Sequence, residues 1–209
     1  MPILKINDIN KNVSWAIWRI DESVKNLNTL YGPLDDELKD LEAIKVEVRK
    51  QESLAARLAL KHLLKKHGYD YHEIYKDEFG KPHLKDHKIQ ISISHTKGYG
   101  AAAINLIGPV GIDIEHHRDQ IRRISKKFLH PSESKWAGDN ISNLTKVWCA
   151  KEALYKLHGR TKLIFAEQLI IAEPDKSGIS VGKIIDEHNH QDYSLAFSNP
   201  LELVATVAF

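Results

Sequence analysis

Asp113 and Glu115 flank Ile114 in the run Val110-Gly111-Ile112-Asp113-Ile114-Glu115. A β-branched run of this kind predicts a strand, and its period of two turns both carboxylates to one face while Ile114 packs on the other. Two hard oxygen ligands at that spacing suit Mg²⁺. By itself such a pair also fits an ordinary acidic strand end. Its position after Gly111, in a strand that should otherwise be core, requires a partner or a metal, because unpaired charge is costly to bury.

Trp148, Glu152 and Lys156 stand at i, i+4 and i+8 and share one helix face. Val147, Ala150, Ala153, Leu154 and Leu157 fill the opposite arc, which is an adequate core face, so the Trp face must be covered by another element or by a ligand. The bland alternative is an exposed Glu/Lys pair beside a surface Trp. Ser92-Ile93-Ser94-His95 leads into Thr96-Lys97-Gly98, a group of hydroxyls, an imidazole and a cation that can hold a phosphate. Ser94 and His95 are no catalytic dyad, since consecutive strand residues face opposite ways. Gly80-Lys81-Pro82 presents a lysine from a stiff turn, which is equally an ordinary surface feature. His116, His117, His188 and His190 show no metal-site spacing and are read as structural. Cys149 is read as a small buried residue.

The elements that must position these groups follow from periodicity. Val13 to Ile20 predicts a strand. Between Leu34 and His67 apolar residues recur at helical spacing, clearest at Leu54, Leu58, Ala59, Leu63 and Leu64, and Gly68 ends the run. Turn residues at Asp77 to Pro82 precede strands around Ile89 to Ile93, Ala101 to Ile107 and Val110 to Ile114. Helices follow at Ile121 to Leu129, from Pro131, and at Asn143 to His158 before Gly159. Strand-like runs EQLIIAEP, GISVGKII, DYSLAFS and ELVATVAF close the chain. The expected class is α/β (α+β), with a break at Gly108-Pro109 dividing residues 1–108 from 109–209.

The 209 residues carry 30 Lys+Arg against 28 Asp+Glu, a formal net charge of +2, which lacks the basic field that a general nucleic-acid or membrane-surface binder needs. The single Cys excludes an intramolecular disulfide framework and a Cys-based structural zinc site. No apolar run approaches the roughly 18 residues of a spanning helix, and no signal-like core opens the chain. A soluble, cytoplasmic protein is expected, without nucleic-acid or membrane partners.

Taken in order, Phe79-Gly80-Lys81-Pro82, Ser92-Ile93-Ser94-His95, Val110 to Glu115, Phe128-Leu129 with Glu133, and Trp148-Cys149-Ala150-Lys151-Glu152-Ala153-Leu154-Tyr155-Lys156 resemble the 4'-phosphopantetheinyl transferases of the surfactin-synthetase type. Glu52-Ser53-Leu54-Ala55-Ala56-Arg57 resembles that family's N-terminal helix, and the similarity spans about residues 45 to 160. The resemblance implies a pseudo-twofold pair of similar α/β lobes in one chain, a monomer, with coenzyme A and Mg²⁺ (or Mn²⁺) in the cleft between them. It implies transfer of 4'-phosphopantetheine from coenzyme A to a serine of an acyl or peptidyl carrier protein, with release of adenosine 3',5'-bisphosphate. Asp113, Glu115 and Glu152 would hold the metal, and Lys156 would steady the phosphates. Arg57, Lys81, Ser94 and His95 would receive the 3'-phosphate and nucleotide end. Glu152 would remove the serine proton, directly or through a metal-bound water. Cys149 stands where the family often has Ser, and Lys45, Arg49 or Lys50 stand for the basic residues usually found before the N-terminal helix.

Two rival readings share these residues. One is another Mg²⁺-dependent nucleotide hydrolase or transferase. The other is a catalytically silent module that grips coenzyme A or a carrier. Arg122, Arg123, Lys126 and Lys127 form either the docking face for an acidic carrier helix or a solvated basic surface.

Overall fold

The computed structural model describes residues 3–85, 87–159, 162–186, 190–200 and 202–209. The chain divides after Pro109 into two compact units, each built from antiparallel sheet and helix. Among the described residues no helix is long and apolar enough to cross a membrane.

The first unit runs β1 (Ile3–Asp8), β2 (Val13–Arg19), α1 (Val24–Tyr31), α2 (Asp35–Ala43), α3 (Glu47–Lys66), β3 (Ile74–Lys76), β4 (Pro82–Leu84), β5 (Gln90–Thr96) and β6 (Tyr99–Asn105). Its main sheet has the order β1-β2-β6-β5, and β3 pairs with β4. The helical pattern expected over Leu34 to His67 is two helices, because the chain turns extended at Ile44 (ψ 104°). α3 buries Leu54, Ala55, Ala59, Leu60, Leu63 and Leu64 in a core shared with Ala16, Ile91, Ala102 and Ile104. The helix lies so close to β6 that a Cβ on Gly100 would sit 2.2 Å from the Ala56 nitrogen. β5 and β6 are joined through Lys97-Gly98, with Thr96 opposite Tyr99 and Gly98 at φ 81°. A two-residue loop of this kind fixes strand register.

The second unit runs β7 (Gly111–His116), α4 (Gln120–Ile124), a 3-10 turn (Ser125–Lys127), α5 (Pro131–Ala137), α6 (Ile141–His158), α7 (Phe165–Gln168), β8 (Leu169–Ile171), β9 (Ile179–Ile185), β10 (His190–Ser198) and β11 (Leu203–Ala208). The sheet order is β7-β11-β10-β9-β8. α6 starts on Asn140, whose side chain accepts from the Asn143 N–H, and ends at Gly159 with φ 106°. It lays Val147, Ala150, Ala153, Leu154 and Leu157 on Leu169, Ile171, Ile184, Leu195 and Ala208, the arc expected from its spacing.

Two expectations are corrected, and one strand is additional. The helix expected from Ile121 to Leu129 stops at Ile124, because the Ser125 hydroxyl donates to the Arg122 carbonyl at 2.9 Å and the chain tightens to carry Phe128 into the core. The strand expected at EQLIIAEP is only Leu169–Ile171, since Phe165–Gln168 forms a helical turn. β1 was not anticipated: its polar residues Lys5 and Asn7 hid a strand whose partners come from β2.

Candidate functional site

In the second unit the site is built by α6 pressed on β7. Gly111 lies where a Cβ would stand 1.9 Å from the Ala153 carbonyl oxygen and 2.7 Å from the Leu157 nitrogen, so only glycine lets helix and strand come this close. Gly111, Asp113 and Glu115 share the strand face toward the helix, while Ile112 and Ile114 are buried on the other face, as the spacing predicts. Cys149 donates its thiol to the Asp113 carbonyl at 3.1 Å, and burial pushes that thiol's pKa well up. It is thus an inert packing residue that pins the strand.

Two side chains of α6 reach the acids. Trp148 Nε1 donates to Glu115 Oε1 at 3.1 Å. Lys156 Nζ donates to Asp113 Oδ1 at 2.7 Å and to the Ile112 carbonyl at 3.1 Å. Glu152 stands between them on the same helical face, one turn from each. Trp148 is half-buried under protein: Phe128 packs on it at 5.2 Å between ring centroids and Phe165 at 5.6 Å. Glu115 is pushed above the usual carboxylate range, first by burial and then by the charge of Asp113, with the Trp148 hydrogen bond opposing.

The donor set bears on Mg²⁺ binding in two ways. Its chemistry fits, because the donors are hard carboxylate oxygens, and the mutual repulsion that raises Glu115 is what a divalent cation relieves. Among the described residues, however, no three His, Cys, Asp or Glu side chains gather into a group able to hold a metal ion. In this structure the ammonium of Lys156 stands beside Asp113.

The same helix, α6, carries a second, fully buried ion pair. Lys151 and Glu133 are both fully buried, 2.8 Å apart. Lys151 also donates to the Phe128 and Phe165 carbonyls, while Glu133 accepts from the His130 and Ile171 N–H groups. Burial pulls the Lys151 pKa down, opposed by the charge of Glu133. The pair ties α6 to the cap of α5, to β8 and to the segments carrying Phe128 and Phe165, the rings that pack on Trp148. The basic residues Arg122, Arg123, Lys126 and Lys127 are exposed, and Arg122 is partly neutralised by Asp119 and Asp139, each 3.4 Å away. His190 is exposed, and His188 lies outside the described residues.

In the first unit the other expected residues lie on three elements. Lys81 follows a turn organised by Asp77, whose Oδ1 accepts from the Phe79 and Lys81 N–H groups at 3.0 and 2.9 Å. His83 meets Asp77 Oδ2 at 3.0 Å, and these contacts hold the Asp77 carboxyl below its usual range, His83 contributing most. Lys81 and Ser94 are buried, His95 is exposed on the opposite strand face from Ser94, and Arg57 is 2% exposed with Nη1 donating to Ser53. His95 also meets two α3 residues, Arg49 and Glu52, the latter with no role in the sequence reading.

Residues 109–207 match the family model of the 4'-phosphopantetheinyl transferase superfamily. Residues 40–105 match that of the 4'-phosphopantetheinyl transferase N-terminal domain. A curated relative, "4'-phosphopantetheinyl transferase gsp" of Aneurinibacillus migulanus, is 33% identical over 90 residues, which is 41% of this chain and 37% of the relative. Between them the two family models take in every element that positions the residues above. The chain belongs to the 4'-phosphopantetheinyl transferase superfamily.

Proposed function

We propose that the chain transfers the 4'-phosphopantetheine group of coenzyme A to a serine hydroxyl of an apo acyl or peptidyl carrier protein. The observation that carries this reading is the α6–β7 junction. There, of two carboxylates on one strand face, Asp113 meets Lys156 and Glu115 meets Trp148, and a third carboxylate, Glu152, stands on the helical face between those partners.

The serine oxygen forms a bond to the phosphorus bearing the pantetheine, the bond from that phosphorus to the bridging oxygen breaks, and adenosine 3',5'-bisphosphate departs with the electron pair. Asp113, Glu115 and Glu152 would hold Mg²⁺, which when bound supplies neutralisation of the pyrophosphate oxygens. Lys156, which in this structure pairs with Asp113, would turn its ammonium to the leaving phosphate. Glu152 would take the serine proton, directly or through a water. Arg57, Lys81, Ser94 and His95 are the proposed receptors of the nucleotide end. The exposed cations Arg122, Arg123, Lys126 and Lys127 are the proposed docking face for an acidic carrier helix.

Incubation with coenzyme A, Mg²⁺ and a panel of apo fatty-acid, polyketide and nonribosomal-peptide carriers should raise the mass of at least one carrier by a single phosphopantetheine. A panel that stays unmodified while coenzyme A still binds would replace this reading with that of a silent binding module.

A further inference from the structure

Thr206 is the one polar residue of β11, which otherwise reads Leu203, Val204, Ala205, Val207 and Ala208. It is 0% exposed, and among the described residues its Oγ1 makes no hydrogen bond. A hydroxyl buried in that state loses its hydration without compensation, so valine would be the stabler choice at this position. The register shows what the hydroxyl faces. Thr206 lies opposite Phe197 of β10 on one side and opposite Asp113 of β7 on the other, and of these two only Asp113 has an acceptor side chain. Residues opposed in this way share a sheet face with Cβ atoms about 4.5–5.5 Å apart, a span that a hydroxyl and a carboxylate bridge by changing rotamer. The face is the one under α6, since Gly111 and Ala208, two places along each strand, meet that helix. Cys149 of α6 closes over the pair: its thiol donates to the Asp113 carbonyl, and the Thr206 hydroxyl opposes the upward push that burial gives the thiol pKa. Sulfur is a weak acceptor and leaves the hydroxyl largely uncompensated.

We infer that Thr206 is a positioning residue for Asp113, a donor held for the state in which the Lys156 ammonium has left that carboxylate. In this structure Lys156 Nζ stands 2.7 Å from Asp113 Oδ1, and the hydroxyl across the sheet is not engaged. The inference rests on the function proposed above, in which Lys156 turns to the leaving phosphate and the buried Asp113 gives up a charge-assisted bond. The Thr206 hydroxyl then rotates, donates to a carboxylate oxygen and fixes its direction. An unsatisfied hydroxyl raises the free energy of the first arrangement and a new hydrogen bond lowers that of the second, so the two are brought closer in energy and Lys156 moves more readily. Thr206 itself never touches the substrate.

The test is a double-mutant cycle read by urea unfolding of the full chain without ligand: wild type, Thr206→Val, Lys156→Met and the two changes together. In wild type, Thr206→Val should leave the folding equilibrium within about threefold or strengthen it, because it removes only an unsatisfied hydroxyl. In Lys156→Met, where Asp113 already engages that hydroxyl, the same change should weaken folding by about tenfold or more. An equal effect in both backgrounds would overturn the inference. In the carrier-mass assay Thr206→Val should lower kcat by about tenfold with KM for coenzyme A within about twofold, and Thr206→Ser, which keeps the donor, should restore kcat. A wild-type kcat for Thr206→Val would overturn the inference and leave the proposed function standing. A wild type that modifies no carrier would sink the proposed function, and the cycle alone would then decide the hydrogen bond. If Lys156→Met fails to fold, the kcat of Thr206→Val and its rescue by serine decide the matter.

Discussion

Lys156 Nζ is 2.7 Å from Asp113 Oδ1, and the two side chains are only 12% and 7% exposed, so strand and helix are joined by an ion pair largely withdrawn from water. Breaking a buried pair from one side leaves the other charge uncompensated, at a cost of about 3 kcal/mol. Lys156→Met and Asp113→Asn should each lower stability by roughly that amount without ligand, and the double variant should lose clearly less than the sum. Urea unfolding of the four proteins measures this, and strict additivity would deny the pair.

Gly111→Ala should be among the most damaging single-methyl additions to the chain, because the new carbon would meet backbone of α6 rather than a side chain that can swing away. A loss of about 3 kcal/mol is expected, with transfer activity falling as the helix is displaced from Asp113 and Glu115. Thermal unfolding and the carrier-mass assay on the same preparation test both halves, and a variant with wild-type values in both would show that the close approach is not required.

The buried pair below the site predicts an asymmetry. Lys151→Met leaves Glu133 accepting two backbone N–H groups and strands the Phe128 and Phe165 carbonyls, whereas Glu133→Leu leaves Lys151 donating to those carbonyls and strands two backbone N–H donors, the costlier kind of orphan. Both changes should destabilise, Glu133→Leu by about 2 kcal/mol more. Equal losses in chemical denaturation would contradict this assignment of the hydrogen bonds.

Asp77 gives a pH dependence. Its folded-state pKa is depressed, so its contribution to the turn before Lys81 is complete above the ordinary carboxylate range and is lost as pH falls below that range. The amide resonances of Phe79 and Lys81 should titrate together with a midpoint below about 3.9, the usual Asp value. His83→Gln should raise that midpoint, because His83 is the largest cause of the depression. A midpoint at or above the usual value in wild type would contradict the geometry of the turn.

Periodicity made much of the frame legible. The acid-face and apolar-face arcs of β7 and α6 follow from spacings of two and about 3.6 residues, and both elements bear them out. Contacts distant in sequence were not legible. Nothing local to Glu52 announces His95, 43 positions on, and the partner of Lys151 lies 18 positions back, where Glu133 also completes a capping box. The covering of Trp148 was anticipated as a need, yet Phe128 and Phe165 reach it only because a 3-10 turn and the short α7 place them there. β1 escaped because an edge strand with polar alternate residues looks like loop until its neighbour is known.

The most direct measurement on the central claim compares Glu152→Gln with wild type in single-turnover carrier modification, alongside calorimetric titration of coenzyme A. The account predicts a rate lower by about 100-fold or more, with coenzyme A affinity changed only a few-fold. A Glu152→Gln variant that modifies its carrier at the wild-type rate would contradict it, since the acid between Trp148 and Lys156 would then have no part in the chemistry.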